Sequence, residues 1–329
     1  MKIRISLTSI LILTLTACSL GPTVSPTSLP PTEPPTTLPT LPVPTDTPPV
    51  VAPTATVPQP TPTLAILPTA ANTSTSLPPV TGIFNPYAVV LVIPGDVLNI
   101  RSGAGVENAI AGTLQPTASG VNRTGPVSSA GGERWMEIQN PSGASGGNGW
   151  VNANFLTEYV TSSTFCSDSR VTGLLNSLET ALLNSNGELL SSLVSPAHGL
   201  DLCLWRYGTV ANYSPEEAMW VFLSDYVVSW GPAPGSGEET SGTFSVQPLP
   251  KLQEVFGANY SLHCNDTLDL ATFSLEPWPP EYSNINFYTI YKPGTEQYGG
   301  MDWRAWTVGI EYVQGKPTLF SLIHYQWEP

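Results

Sequence analysis

Between Gly21 and Gly82 the chain runs through units such as PTEPPTTLPT and PVPTDTPP, and about half of its 35 prolines lie there. Proline locks φ and carries no amide donor, so neither a helix nor a sheet ladder can be completed across the tract. The tract favours extended polyproline II at about 3.1 Å per residue, and roughly sixty such residues reach on the order of 150–190 Å when stiff. No Lys or Arg occurs between Arg4 and Arg101, and the many Ser and Thr are plausible O-glycan acceptors. The reading is a disordered spacer over residues 18–82, which confines any folded core to the remainder.

What precedes the spacer is a targeting segment. MKIRISLTSILILTLTAC has two early cations, Lys2 and Arg4, and then an apolar run from Ile5 to Ala17. That run is short of the roughly 20 apolar residues needed to span a bilayer. It closes on Leu15-Thr16-Ala17-Cys18, which resembles the lipobox of bacterial lipoproteins. The resemblance implies a signal peptide over residues 1–17, cleavage before Cys18, and lipidation of its thiol, with the membrane as the first partner. An ordinary secretory signal that happens to contain Cys is the other reading.

Charge narrows the function classes. The chain has 11 basic and 25 acidic residues, a formal net charge of −14, and no basic run. Phosphate binding needs clustered Lys and Arg, so nucleic acid is excluded as a partner. The balance fits a domain outside the cell and favours a cationic or neutral ligand over an anion.

From Tyr87 to Val160, short apolar runs alternate with turn residues, which predicts an all-β unit over residues 83–160. YAVVLVI, VLNIR, RWMEIQ and GWVNANFL read as strands. The marks Leu98-Asn99-Ile100-Arg101-Ser102-Gly103, Gly105, Gly112, Trp135, Gly149-Trp150-Val151 and Phe155-Leu156 together resemble a bacterial SH3-type (SH3b) domain. Ala104 stands where the family often has Pro. The resemblance covers some seventy residues and implies a small β-barrel that binds cell-wall peptides, with Asn99, Arg101 and Trp135 as candidate ligand contacts. The Arg101 fork suits a carboxylate; a solvated loop arginine is the plainer alternative. Two Gly/Ser-rich insertions, GPVSSAGGER and QNPSGASGGNG, are expected to lengthen loops beside the groove.

The remainder, residues 165–329, changes to helices and then strands. DSRVTGLLNSLETALLNS puts Val171, Leu174, Leu175, Leu178, Ala181 and Leu182 on one helical face, with Asp168 or Ser169 as cap. NGELLSSLVSP is a second short helix, begun at Asn186 and stopped before Pro196. In SPEEAMWVFLSDY, Ser214, Pro215 and Glu217 form a capping box with proline in the first turn. TSGTFSVQPL, YSLHCN, NINFYTIYK, WRAWTVGIEYV and KPTLFSLIHYQWE are expected strands. The order predicts an α+β domain, helices packed on a curved, mostly antiparallel sheet. It resembles the nuclear-transport-factor-like (SnoaL-like, cystatin-like) cone in element order alone. The ending also resembles an uncharacterised region of bacterial envelope lipoproteins that pair it with SH3-type domains.

Familiar enzyme signatures are missing: there is no GxSxG, GxxxxGK[ST], HExxH or CxxC, and nothing calls for a metal or cofactor. The three histidines are His198, His263 and His324. Near the C-terminus GGMDWRAW brings an acid and a base together, which makes Asp302, Arg304 and His324 a candidate constellation for a small-molecule binder or a hydrolase or isomerase. Strand parity argues against it. If two or four residues loop out near Gln314-Gly315-Lys316, Trp306, Val308, Ile310 and Tyr312 share a face with Leu319, Ile323, Tyr325 and Trp327. His324 then faces the other way, near Thr307 and Trp303, unless a bulge intervenes. Crowded tryptophans read either as core or as a stacking platform for sugar or peptide.

With Cys18 taken by lipid, three cysteines remain and allow three pairings in an oxidising compartment. Cys203 lies between Leu202 and Leu204 and reads as a buried thiol. Cys166 and Cys264 sit among polar residues, so that pair is expected to bond. The whole reads as a multidomain chain, a small all-β SH3-like barrel followed by an α+β domain. It is expected to be lipid-anchored, extracytoplasmic and non-enzymatic, and to bind peptidoglycan or an envelope protein.

Overall fold

Among the described residues before position 160, short apolar runs punctuated by Gly, Asn and Ser form eight strands: β1 (Tyr87–Val89), β2 (Leu98–Arg101), β3 (Ile110–Leu114), β4 (Ser119–Val121), β5 (Arg123–Ala130), β6 (Glu133–Gln139), β7 (Asn148–Asn152) and β8 (Leu156–Glu158). The computed structural model describes residues 86–143, 147–270 and 277–328, so the signal segment, Cys18 and the Pro/Thr tether lie outside the described residues. The eight strands make two antiparallel sheets, ordered β3-β2-β7-β6-β5 and β4-β1-β8, and not the closed barrel expected. Both sheets contribute to one small core that includes Val89, Leu98, Ile100, Met136, Ile138, Val151 and Leu156.

The insertion GPVSSAGGER, expected as a loop, is instead the body of a β5–β6 hairpin. Gly131 and Gly132 sit at φ 62° and 84°. A two-residue turn with both central residues at positive φ matches the twist of paired strands, and Gly adopts it without steric cost.

The remaining elements are α1 (Ser162–Ser167), α2 (Ser169–Leu183), α3 (Gly187–Leu193), β9 (Leu200–Cys203), β10 (Val210–Tyr213), α4 (Pro215–Trp220), β11 (Val228–Pro232), β12 (Glu239–Gly242), α5 (Pro248–Phe256), β13 (Ser261–Cys264), β14 (Asn286–Lys292), β15 (Arg304–Val313) and β16 (Lys316–Gln326). Among the described residues the chain is mostly β, with several antiparallel sheets and few helices. Six strands join in the order β10-β9-β16-β15-β14-β13, antiparallel except for β16 beside β9. Where TSGTFSVQPL was expected to be one strand, pairing stops at Gly242 and a helix, α5, starts at Pro248. Proline in a first helical turn lacks only an amide that would have no partner anyway, so Pro248 opens the helix and does not break it. Leu249, Leu252, Val255 and Phe256 then bury one side of it.

The six-stranded sheet is covered on both faces. One face meets α2 and α5 through Leu175, Leu178, Leu252, Trp306, Val308, Ile310 and Leu322. The other packs Phe320, Ile323 and Tyr325 with Tyr282, Ile285 and Val90, the last from the segment following β1. A strand buried on both sides reads as a continuous apolar run, and β15 and β16 are buried almost throughout. Each buried Leu, Ile or Val side chain contributes about 1.5–3 kcal/mol.

The two-residue turn Gln314-Gly315 pairs Ile310 with Leu319, as parity requires. The register then shifts between Gly309 and Ile310, Phe320 is the extra residue, and Gly309 faces Ser321. A Cβ on Gly309 would lie 2.3 Å from Ser321 Oγ, which would have to rotate away, and 3.0 Å from the Trp278 ring. Beyond the bulge every assignment reverses: Trp306 pairs with His324, and Ile323 and Tyr325 turn to the opposite face.

Residues on either side of position 160 belong to one compact unit. Glu158 accepts from the Gln314 and Gly315 amides at 2.7 and 2.8 Å, and Asn284 Nδ2 donates to the Val89 carbonyl at 2.8 Å. Cys166 and Cys264 form a disulfide that ties α1 to β13.

Candidate functional site

Asn99, Arg101 and Trp135 line one cleft of about 250 Å³ between the start of β2, the loop that follows it, and β6. The Arg101 side chain folds the loop: Nη1 donates to the Val106 and Asn108 carbonyls at 2.7 and 2.8 Å. Asn108 Nδ2 in turn donates to the Ala104 carbonyl at 2.9 Å. Trp135 Nε1 donates to the Ala130 carbonyl at 3.2 Å, which leaves its ring as cleft wall. Two of the three expected contacts therefore build the cleft with their polar atoms. Ile93 and Val106, 61% and 68% exposed, form its apolar lips, and Asp96 supplies a carboxylate.

Asp302, Arg304 and His324 take separate partners. Asp302 turns to the loop before β15, accepting from the Thr295 amide at 2.6 Å and the Thr295 hydroxyl at 2.9 Å. Those bonds, the amide foremost, hold its carboxyl below the usual range. Arg304 Nη1 donates to the Trp303 carbonyl, and Nε lies 3.9 Å from Glu254, which also accepts from Lys292 at 2.9 Å. The bulge sends His324 to the Arg304 face, where its ring lies 4.9 Å from Trp306 and 5.9 Å from Trp205. His324 is 2% exposed, and among the described residues neither ring nitrogen has a partner in good hydrogen-bond geometry. Burial first, then the charges of Lys251 and Arg304, push its pKa well below the ordinary histidine value. The buried ring is thus held neutral, on the face opposite to the one strand parity gave it. Lys251 Nζ caps the same cluster, 4.9 Å above the Trp205 ring.

A buried polar network joins residues that sequence reading passed over. Glu311 on β15 is 2% exposed. Its carboxylate accepts from Thr157 Oγ1 on β8 at 2.9 Å and from Ser195 Oγ, and both its oxygens lie 2.8 Å from His198 Nδ1. Ser195 Oγ also accepts the Ala197 and His198 amides at 3.0 and 3.2 Å. Serine and histidine both address the carboxylate and not each other, so the arrangement is a brace and not a nucleophile with its base. An acid inside the apolar run TVGIEYV was the one visible sign, but its partners lie 113 to 154 positions away.

A wider cleft lies elsewhere, between β10, α4 and the start of β11, with a volume of about 780 Å³. Tyr213, Trp220, Tyr226 and Phe244 line it together with Glu216 and Glu217. The tryptophans accordingly divide: Trp205, Trp230 and Trp306 are core, whereas Trp220 is 58% exposed. Comparisons with protein-family models, with curated proteins and with solved structures gave no match for this chain.

Proposed function

We propose that this chain is a lipid-anchored, extracytoplasmic binding protein that recognises cell-wall peptide or peptidoglycan and performs no catalysis. In this reading Cys18 carries the lipid, residues 18–82 lift the rest from the membrane, an SH3-like part over residues 83–160 binds the wall, and an α+β part over residues 165–329 adds a second recognition surface. The observation that carries it is the gathering of Asn99, Arg101 and Trp135 around one open cleft with exposed apolar lips. Apolar walls with a few placed polar groups suit a short peptide, and the pre-folded loop reduces the ordering cost of binding. The Cys166–Cys264 disulfide supports an oxidising compartment.

The test is retention of the full chain on purified wall material at low and high salt. The chain is expected to be retained at both, because apolar contact is not screened. Ile93→Glu with Val106→Glu, both on exposed side chains, is expected to weaken retention about ten-fold. No retention at either salt, or equal retention of the double variant, refutes the reading.

A further inference from the structure

The cleft between β10, α4 and β11 combines three features that converge on one ligand chemistry. Its volume of about 780 Å³ falls in the range of small-molecule sites. Its walls present aromatic faces to solvent, with Trp220 58% and Tyr226 73% exposed. Among the described residues its only charged lining groups are the acids Glu216 and Glu217, and no Lys, Arg or His lines it. Glu217 Oε2 accepts the Ser214 amide in the capping box, while Glu216 has no hydrogen-bond or ion-pair partner among the described residues. An unpaired carboxylate beside exposed aromatic faces is an arrangement that attracts cations, since the ring faces carry negative quadrupole density.

We propose that this cleft is a binding site for a small soluble organic cation, an ammonium group on a compact apolar body. The ammonium would sit between the Glu216 carboxylate and the faces of Trp220 and Tyr226, and the apolar body would fill the deeper wall at Phe244. That wall is held in place by other aromatics: Phe244 packs edge-on against Tyr213 and Phe222 at 6.0 and 5.5 Å between centroids. Helix α4 is positioned by its capping box and by contact with α3, where a Cβ on Gly187 would lie 1.9 Å from the Met219 carbonyl. Burial raises the Tyr213 phenol to about 12, with the charge of Glu217 adding to it, so Tyr213 remains a neutral hydroxyl in the cleft. An anion would meet two like charges there and no countercharge.

The experiment titrates the full chain with choline, with n-butylammonium, and with the neutral isostere of choline in which carbon replaces the quaternary nitrogen, read by ligand-observed NMR. Both cations are expected to bind, and choline at least about five-fold more tightly than its isostere, which fills the same volume without the charge. Glu216→Gln and Trp220→Ala are each expected to weaken choline about five-fold. Leu223→Ala, an exposed change outside the cleft lining, is expected to leave it unchanged. Equal affinity for choline and its isostere overturns the proposal, as does full choline affinity in Glu216→Gln with an unchanged circular dichroism spectrum. A final arm uses phosphatidylcholine vesicles: capture by vesicles with no binding of either soluble cation refutes a soluble ligand in favour of a lipid surface.

Discussion

Replacing Glu311 tests whether the buried network braces the fold. Glu311→Ala removes the acceptor for three donors, the Thr157 and Ser195 hydroxyls and His198 Nδ1, in a site closed to water. Each buried donor left without a partner costs about 1–3 kcal/mol. The hydroxyls can rotate toward nearby carbonyls, so about 3–6 kcal/mol is expected, a large share of a typical stability of about 5–15 kcal/mol. Glu311→Gln preserves volume and one oxygen acceptor but turns an amide NH2 toward donors, for a cost of about 1–3 kcal/mol. Urea unfolding with an unchanged m-value measures both. Hydrogen exchange should show amides of β8 released before those of β14, because Thr157 is the β8 residue the network holds. If alanine costs less than about 1 kcal/mol, or glutamine costs as much as alanine, the carboxylate is not the acceptor that organises the site, and the reasoning fails. Combining His198→Ala with Glu311→Gln should give a coupling above about 1 kcal/mol; additive effects would remove His198 from the network.

Two further outcomes follow from the same geometry. His324 is buried and neutral, so its folded pKa lies below its unfolded value, and the unfolded state binds the extra proton. Stability is then complete above the unfolded pKa of about 6.5 and falls as pH drops below it. His324→Leu is expected to flatten the pH dependence between about 7 and 5 in urea midpoints, and an unchanged slope would count against a buried neutral His324. The Cys166–Cys264 bond closes a separation of 98 residues. Cys166→Ser with Cys264→Ser is expected to lower stability by about 4–5 kcal/mol in the chain-entropy account, and thiol titration of the unfolded, unreduced chain should find Cys203 reactive and this pair unreactive. Reactivity of all three would exclude the bond.

Local chemistry was legible wherever a signal and its effect lie within a few residues. The Ser214–Glu217 capping box, the Asn186 cap and the buried face of α2 all stand where their spacing puts them. Other local signals were present but outweighed: TSGTFSVQPL read as one strand although its Pro248 opens α5, and GPVSSAGGER read as a loop although its Gly131-Gly132 closes a hairpin. The 780 Å³ cleft had only faint precursors in Trp220 and Glu216, because a concave surface is made by elements that approach from separate parts of the chain.

The chain's own order of residues determined the proline-rich composition of residues 21–82, most of the strands and capped helices, the polar setting of Cys166 and Cys264, and the shortage of positive charge. Each depends on backbone freedom, nearest neighbours or composition. Only the tertiary structure decided which face His324 occupies, because a single extra residue at Phe320 reverses a period of two and no local pattern counts residues across a strand pair. It alone also decided the partners of Glu311, since a buried carboxylate is stabilised by whichever donors packing delivers.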